Sequence, residues 1–351
     1  MSTTIVENPS DTGRSRTLPE VCVIATVRNE EEYLEAALDS VAQQTYQGAF
    51  SIVVSVGPSR DNTYGIAHEY ALHDKRVTIV DNPHGAIPHG LNIALANCPD
   101  SAQIIVRFDG HTRLPDTYIE NMVDTLIRTG ADNVGGIMKP VGKSDLERAI
   151  AQAMSHPLGI GPAPFHVGGV EGPEETAYLG TFRKTALDRV GHYDEYFERA
   201  EDWELNFRIR ESGGLIWFRP DIQVEYQPRS SIKALARQFG RTGQWRREVI
   251  RRNAKTASLR YLAPPTAVLA LIAGTLVGLL GVITTTPWLL IGFMAPVGYA
   301  ALVCVGGLWA GRTLPVRSRF VLPLVLATMH MSWGIGFLCG RKTAVQSAHN
   351  Q

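Results

Sequence analysis

Val21-Cys22-Val23-Ile24-Ala25 is a short run of β-formers, and residues 30–44 behind it set Leu34, Ala37, Leu38 and Val41 on one face of a helix. Phe50-Ser51-Ile52-Val53-Val54-Ser55-Val56 is a second strand of the same kind. Outward from this β-α-β core, Gly57-Pro58-Ser59 turns, and Ser59 or Asp61 can cap a helix running to Leu72. Residues 77–80 form a third strand, residues 87–97 a helix opening at Pro88, residues 103–108 a fourth strand, and residues 115–128 a helix. Such alternation predicts an α/β fold, a parallel sheet joined by right-handed crossovers. Ligands of such sheets gather beyond the carboxyl ends of the strands. The segments to read for chemistry are therefore residues 26–30, 57–61, 81–85 and 109–113.

The 351 residues carry 34 Lys and Arg and 34 Asp and Glu, but these are not evenly spread. The first 260 residues hold all 34 acids and 29 of the bases, a net charge of −5, and the last 91 hold five bases and no acid. Residues 261–311 contain no Asp, Glu, Lys, Arg or His. This excludes a purely soluble globular protein and a nucleic-acid binder driven by bulk positive charge. About 20 apolar residues cross a bilayer, and residues 262–283, 287–310 and 320–340 each meet that length. Seven bases and one acid in residues 241–260, and three Arg between the second and third stretches, place those segments on the cytoplasmic side. Arg341 and Lys342 favour a cytoplasmic C-terminus and three crossings an external one, which leaves the span count open. Residues 1–19 read as a polar, disordered lead without a signal peptide. Cys22, Cys98, Cys304 and Cys339 lack the spacing of a disulfide framework or a zinc site and suit a reducing compartment. The expected organisation is a lead at 1–19, a cytoplasmic catalytic domain at 20–230, basic juxtamembrane helices at 231–260, about three transmembrane helices at 261–340 and a tail at 341–351.

Three segments carry chemistry. In Val106-Arg107-Phe108-Asp109-Gly110-His111 a carboxylate at a strand end is followed two residues later by an imidazole, and Gly110 allows close backbone approach. Asp oxygen with His nitrogen suits Mn²⁺ or Mg²⁺ shared with a diphosphate, and equally a loop Asp capping the next helix. Glu201-Asp202-Trp203-Glu204-Leu205 opens a helix, where acids serve as ordinary caps or as a general base with its orienter. In residues 238–247, with Gln238, Arg241, Trp245 and Arg246, arginines suit phosphate oxygens and the Trp offers a flat face, and the same segment suits anionic lipid.

Together these segments resemble the family 2 glycosyltransferases of the GT-A fold, and among them the membrane-bound bacterial exopolysaccharide type. The matching stretches are Val27-Arg28-Asn29-Glu30-Glu31, Asn82-Pro83 with Gly90-Leu91-Asn92, Val106 to Thr112, Gly180-Thr181-Phe182-Arg183-Lys184, Gly191-His192-Tyr193-Asp194-Glu195 and Glu201 to Asn206. The resemblance implies a mainly parallel, Rossmann-like sheet with helices on both faces, followed by the transmembrane region. It implies that Asp109 and His111 hold a divalent metal, Mn²⁺ or Mg²⁺, on a nucleotide-diphosphate sugar, in a D-x-H form of the family's D-x-D. It implies that Asp202 is the general base, that Glu201 and Trp203 meet the acceptor, and that Thr26, Arg28, Glu30, Asp61, Asp81 and Asp109 line the donor pocket. Gln238, Arg241, Trp245 and Arg246 loosely echo a diphosphate-contacting Q-x-x-R-W segment with different spacing. Where the family has an acidic run after its second strand, here stands Val56-Gly57-Pro58-Ser59. A valine side chain accepts no hydrogen bond from a base, so a base contact passes to backbone, Asp61 or Asp81.

The implied reaction is inverting transfer, at the bacterial plasma membrane, to a hydroxyl of a lipid-linked saccharide, with membrane lipids and a polysaccharide assembly complex as further partners. Two other readings are transfer to polyprenyl phosphate, which needs no strong base, and a non-enzymatic scaffold built on a degenerate domain.

Overall fold

The computed structural model describes residues 17–340. Most of the expected lead and the tail with Arg341 and Lys342 lie outside the described residues. Nine strands make one sheet: β1 (Val21–Val27), β2 (Phe50–Val56), β3 (Val77–Asp81), β4 (Ile104–Arg107), β5 (Thr112–Arg113), β6 (Asn133–Pro140), β7 (Gly172–Pro173), β8 (Tyr178–Arg183) and β9 (Ile216–Tyr226). Their order is β3-β2-β1-β4-β8-β6-β9-β5, with β7 on β9. The four strands read from the sequence form the parallel half. β8 enters antiparallel to β4 and β6, which makes the other half mixed.

Strand β1 is buried along nearly its whole length because helices cover both faces. On one face α1 (Leu34–Ala42) and α4 (Tyr118–Thr129) pack Leu38, Ile119 and Met122 against Val23 and Ala25. On the other, α3 (Ile87–Ala96), α8 (Lys184–Val190) and α9 (Glu201–Glu211) pack Leu91, Leu187 and Leu205 against Cys22 and Ile24. Helix α2 (Thr63–His73) joins β2 to β3, and α5 (Asp145–Met154), α6 (Pro157–Ile160) and α7 (Pro164–Val167) follow β6. Cys22 and Cys98, the latter just beyond α3, are placed for a disulfide, with Cα atoms 5.9 Å apart. The sequence reading left all four cysteines unpaired. Residues 76 apart in sequence meet only through β1–α3 packing, which spacing does not reveal.

Register aligns the carboxyl ends of the parallel strands. Val27 lies beside Val56, Val56 beside Asp81, and Ile24 beside Arg107. The four segments picked out for chemistry therefore share one edge.

Beyond the sheet come α10 (Ile232–Arg252), α11 (Ala263–Ile283), α12 (Met294–Ala310, preceded by a 3₁₀ turn over Pro287–Phe293) and α13 (Val316–Cys339). Three helical segments, Ala263–Ile283, Pro287–Ala310 and Val316–Cys339, are long and apolar enough to cross a membrane. The last differs from the others. A third of its apolar window is buried, against 17% and 6% for the other two. Its start is tied to α5, where Ser318 Oγ donates to Asp145 Oδ1 at 2.7 Å. Its end is tied to α10, where Arg247 Nη1 donates to Phe337 O at 3.2 Å. Between these ties α13 runs against α10 closely enough that a Cβ on Gly336 would lie 2.0 Å from Gly240 O.

Candidate active site

Arg107 ends β4 with only 4% of its side chain exposed. An arginine is buried to this degree only when paired, and three carboxylates supply the pairing. Its Nη2 lies 3.2 Å from Asp109 Oδ1 and 3.3 Å from Glu201 Oε1, and its Nη1 donates to Asp202 Oδ1. Burial alone would pull this guanidinium down, but Asp202, Asp109 and Glu201 outweigh it and hold it well above its usual range. Burial raises both Glu201 and Asp202, and Arg107 opposes the rise. The pair is unequal in access: Asp202 keeps 28% of its side chain exposed and Glu201 8%. Asp202 is thus the carboxylate that reaches the open side, and Glu201 lies turned onto Arg107. The chain enters α9 through Ala200 at φ +63°, a left-handed conformation that costs a residue with a Cβ about 1–2 kcal/mol.

His111 stands two residues beyond Asp109. Its Nδ1 is 2.9 Å from Glu30 Oε1, and its ring meets Tyr226 edge-on, with centroids 5.3 Å apart. Burial works against the charged imidazole, but the bond to Glu30 holds its pKa above the usual value. A carboxylate on one ring nitrogen, leaving the other for a ligand, is the usual support of a metal-binding His. Asp109 and His111 therefore fit a divalent cation that takes its remaining ligands from a diphosphate and water. Among the described residues no group of three or more His, Cys, Asp or Glu forms a self-sufficient metal site.

The expected donor residues divide. Arg28 Nε donates to Pro58 O at 3.0 Å and bridges the loops after β1 and β2. Asp61 accepts from Glu31 N at 3.2 Å and Thr63 N at 3.1 Å, which commits it to loop geometry. Thr26 lies under α3, where a Cβ on Gly90 would fall 2.0 Å from its Oγ1. Asp81, at the tip of β3, is exposed.

Helix α10 also divides. Gln238 Nε2 donates to Tyr226 Oη at 3.4 Å, and its Oε1 accepts from Arg229 Nε at 3.2 Å, beside His111. Arg199 is held below its usual range by burial and by repulsion from Arg241 and Arg229, while Glu201 attracts it. Arg229 thus stands on the His111 side, and Arg199 lies within reach of Glu201, Arg229 and Arg241. Arg199 and Arg229 were not picked out from the sequence, because neither sits in a motif or on a helical stripe. Trp245 packs into a buried aromatic cluster with Phe197 and Trp203. Arg246, two turns beyond Gln238, is stacked on the rings of Trp203 and Tyr261, its Cζ 4.4 and 4.2 Å from their centroids.

Residues 22–191 match the model of glycosyl transferase family 2. The chain is 29% identical over 318 residues to the succinoglycan biosynthesis protein ExoA of Rhizobium meliloti, covering 90% of this chain and 93% of that one. It is 31% identical over 138 residues to the glycosyltransferase AglE of Haloferax volcanii, covering 38% and 44%. A solved mannosyltransferase from Pyrobaculum calidifontis, in complex with GDP-Man and Mn²⁺, superposes with a TM-score of 0.56 at 18% identity, over 91% of this chain and 86% of that one. This last likeness concerns the fold alone.

Proposed function

With a family 2 glycosyltransferase domain at residues 22–191 the chain is a glycosyltransferase, and we propose that it moves a sugar from a nucleotide-diphosphate sugar to a hydroxyl of a membrane-held saccharide, with inversion. The observation that carries this reading is Arg107, which joins the Asp109 strand end and the Asp202 helix start into one buried unit.

In the proposed step the acceptor oxygen attacks the anomeric carbon on the face opposite the diphosphate. The bond from that carbon to the diphosphate oxygen breaks, and its electron pair leaves with the nucleoside diphosphate. The hydroxyl proton passes to Asp202. One displacement with no enzyme nucleophile inverts the anomeric centre, as in single-displacement glycoside hydrolysis. Arg107 opposes the rise that burial imposes on Asp202, and Glu201 holds Arg107 in place. Asp109 and His111 would hold the divalent cation, which neutralises charge on the leaving diphosphate when bound. Arg229 adds positive potential on that side, and Asp81 is the carboxylate free to contact the base.

The similarity to a succinoglycan biosynthesis protein supports a role in exopolysaccharide synthesis. Seven bases in residues 241–260 support a cytoplasmic catalytic domain. We read α11 and α12 as the spanning hairpin and α13 as lying along the membrane face. Support for this comes from α13's two ends, which bond to α5 and α10 of the same side. A donor panel with full-length protein in membranes, scored for label in the lipid extract, tests the reaction. Asp202→Asn should lose about 10²–10⁴-fold in turnover with donor affinity kept. No transfer from any donor sinks the reading. Turnover of Asp202→Asn within a few-fold of wild type favours a phosphate acceptor instead.

A further inference from the structure

A cavity of about 750 Å³ lies between the catalytic domain and the C-terminal helices. One wall comes from the domain side, through Trp203, Arg246 and Tyr261. The other comes from the apolar helices, through Ala267 of α11, Leu302 of α12 and Met329 of α13. Trp203 is the neighbour of Asp202 in α9, which brings one wall of the cavity to within one residue of the proposed base. The cavity has the size of a site for one compact ligand, and the wall from the membrane helices is apolar apart from Tyr299 and His330, which pair with each other, His330 also with Leu158 O.

The polar end holds buried groups that the protein does not satisfy. Arg246 makes no hydrogen bond or ion pair among the described residues, and its Nη1 is buried without a partner. Trp203 Nε1 and His166 Nδ1, both on cavity-lining residues, are buried and unpartnered as well. Burial pushes His166 down to about 3, so it is neutral at physiological pH. Net charge does not explain an anion here, because Glu174 and Glu175 line the cavity with Arg246 and Arg260. Arg260 is already engaged, with its Nη2 2.9 Å from Glu175 Oε2. Arg246 is the cation left over. Two rings fix its plane, and a half-buried guanidinium whose Nη1 is shut in without an anion is costly. Arginine held flat in this way suits the oxygens of a phosphate group.

Resting on the proposed transfer to a membrane-held saccharide, we infer that this cavity seats a polyprenyl-diphosphate-linked acceptor. Its diphosphate lies on Arg246, and its first isoprene units lie against Ala267, Leu302 and Met329. The rest of the tail runs out into the bilayer, since the volume holds only a short length of one chain. The sugar passes Trp203 to reach Asp202. Arg246 then serves the acceptor, whereas the Q-x-x-R-W likeness pointed to the donor diphosphate.

The test uses full-length protein in nanodiscs and farnesyl diphosphate as probe, with a benzophenone-bearing analogue for photocrosslinking. Crosslinks should map to Ala267, Leu302, Met329 and their neighbours. Arg246→Gln and Ala267→Trp should each weaken farnesyl diphosphate binding at least about tenfold, and Arg246→Lys should weaken it less. Nucleotide affinity should stay within about twofold, which also certifies that the variants fold. Farnesol and inorganic diphosphate should each bind more weakly than farnesyl diphosphate, and vesicle phosphatidylglycerol should not compete. Crosslinks outside the cavity, or unchanged affinity in both variants, overturn the site. So does competition by phosphatidylglycerol at the affinity of the prenyl probe, which makes the cavity a general lipid site. If a variant also loses nucleotide binding, the wild-type crosslink map alone decides. Binding in the cavity without sugar transfer to any prenyl-linked saccharide defeats the proposed function and leaves the site standing. Transfer with wild-type acceptor KM in both variants does the reverse.

Discussion

Replacing Arg107 with Met removes the cation that contacts all three carboxylates and leaves a shorter, uncharged side chain. Asp109, Glu201 and Asp202 all touch it, and the site it leaves is only 4% exposed. Breaking a buried ion pair by removing one partner costs about 3–5 kcal/mol, because the other charge stays buried. For a soluble domain of this size, that corresponds to a fall in Tm of roughly 6–20 °C. The pH dependence has a definite sign. Without Arg107, burial and mutual repulsion carry the folded pKa values of Glu201 and Asp202 further above their unfolded ones. Such groups contribute stability that is present below the unfolded pKa and lost as pH rises through the folded pKa. The Arg107→Met deficit should therefore shrink between about pH 8 and about pH 5. Turnover should shift to higher pH, since Asp202 must lose its proton to act as base. Arg107→Lys keeps the charge but not the fork that reaches three acids, and it should fall between. The assay is thermal unfolding in detergent across pH, paired with a turnover–pH profile. A Tm for Arg107→Met within about 2 °C of wild type at both ends of the range, or a deficit that grows on acidification, refutes this account of the site.

Asp109→Ala should abolish the Mn²⁺ dependence of nucleotide binding in isothermal titration, and His111→Asp should retain binding while shifting preference toward Mg²⁺, the harder ion. A cysteine at Thr285, between α11 and α12, should react with an impermeant maleimide in intact cells, whereas one at Arg317, at the start of α13, or at Leu338, near its end, should both be protected. Labelling at Leu338 alone makes α13 a third crossing. Cells lysed directly into denaturant with an alkylating agent should yield Cys22 and Cys98 as free thiols if the domain faces the reducing cytoplasm. Recovery of the pair as a disulfide by mass mapping places the domain outside.

The parallel half of the sheet was legible because β1 and β4 are apolar runs buried along nearly their whole length, and β2 and β3 are short runs of β-formers set between turns and helices. Residues 50–56 were read with the bounds the structure shows, and the site segments followed from strand polarity alone. The mixed half was not legible. Strands β6, β8 and β9 pair across long sequence separations, and Gly135, Gly136 and Pro220 blur their pattern. Arg107 carried a signal that went unread. It follows Ile104-Ile105-Val106 and precedes Phe108, and a charge inside such a run asks for buried partners somewhere in the chain. Which partners these are depends on the crossover that brings α9 to β4, 94 residues later for Glu201. The same limit governed α13. Its composition fits a span, and the two bonds near its ends are made to α5 and α10, which no reading of residues 316–339 by themselves could supply. Composition states what a segment can be buried in. Only the elements it meets decide whether that medium is lipid on every side or protein on one.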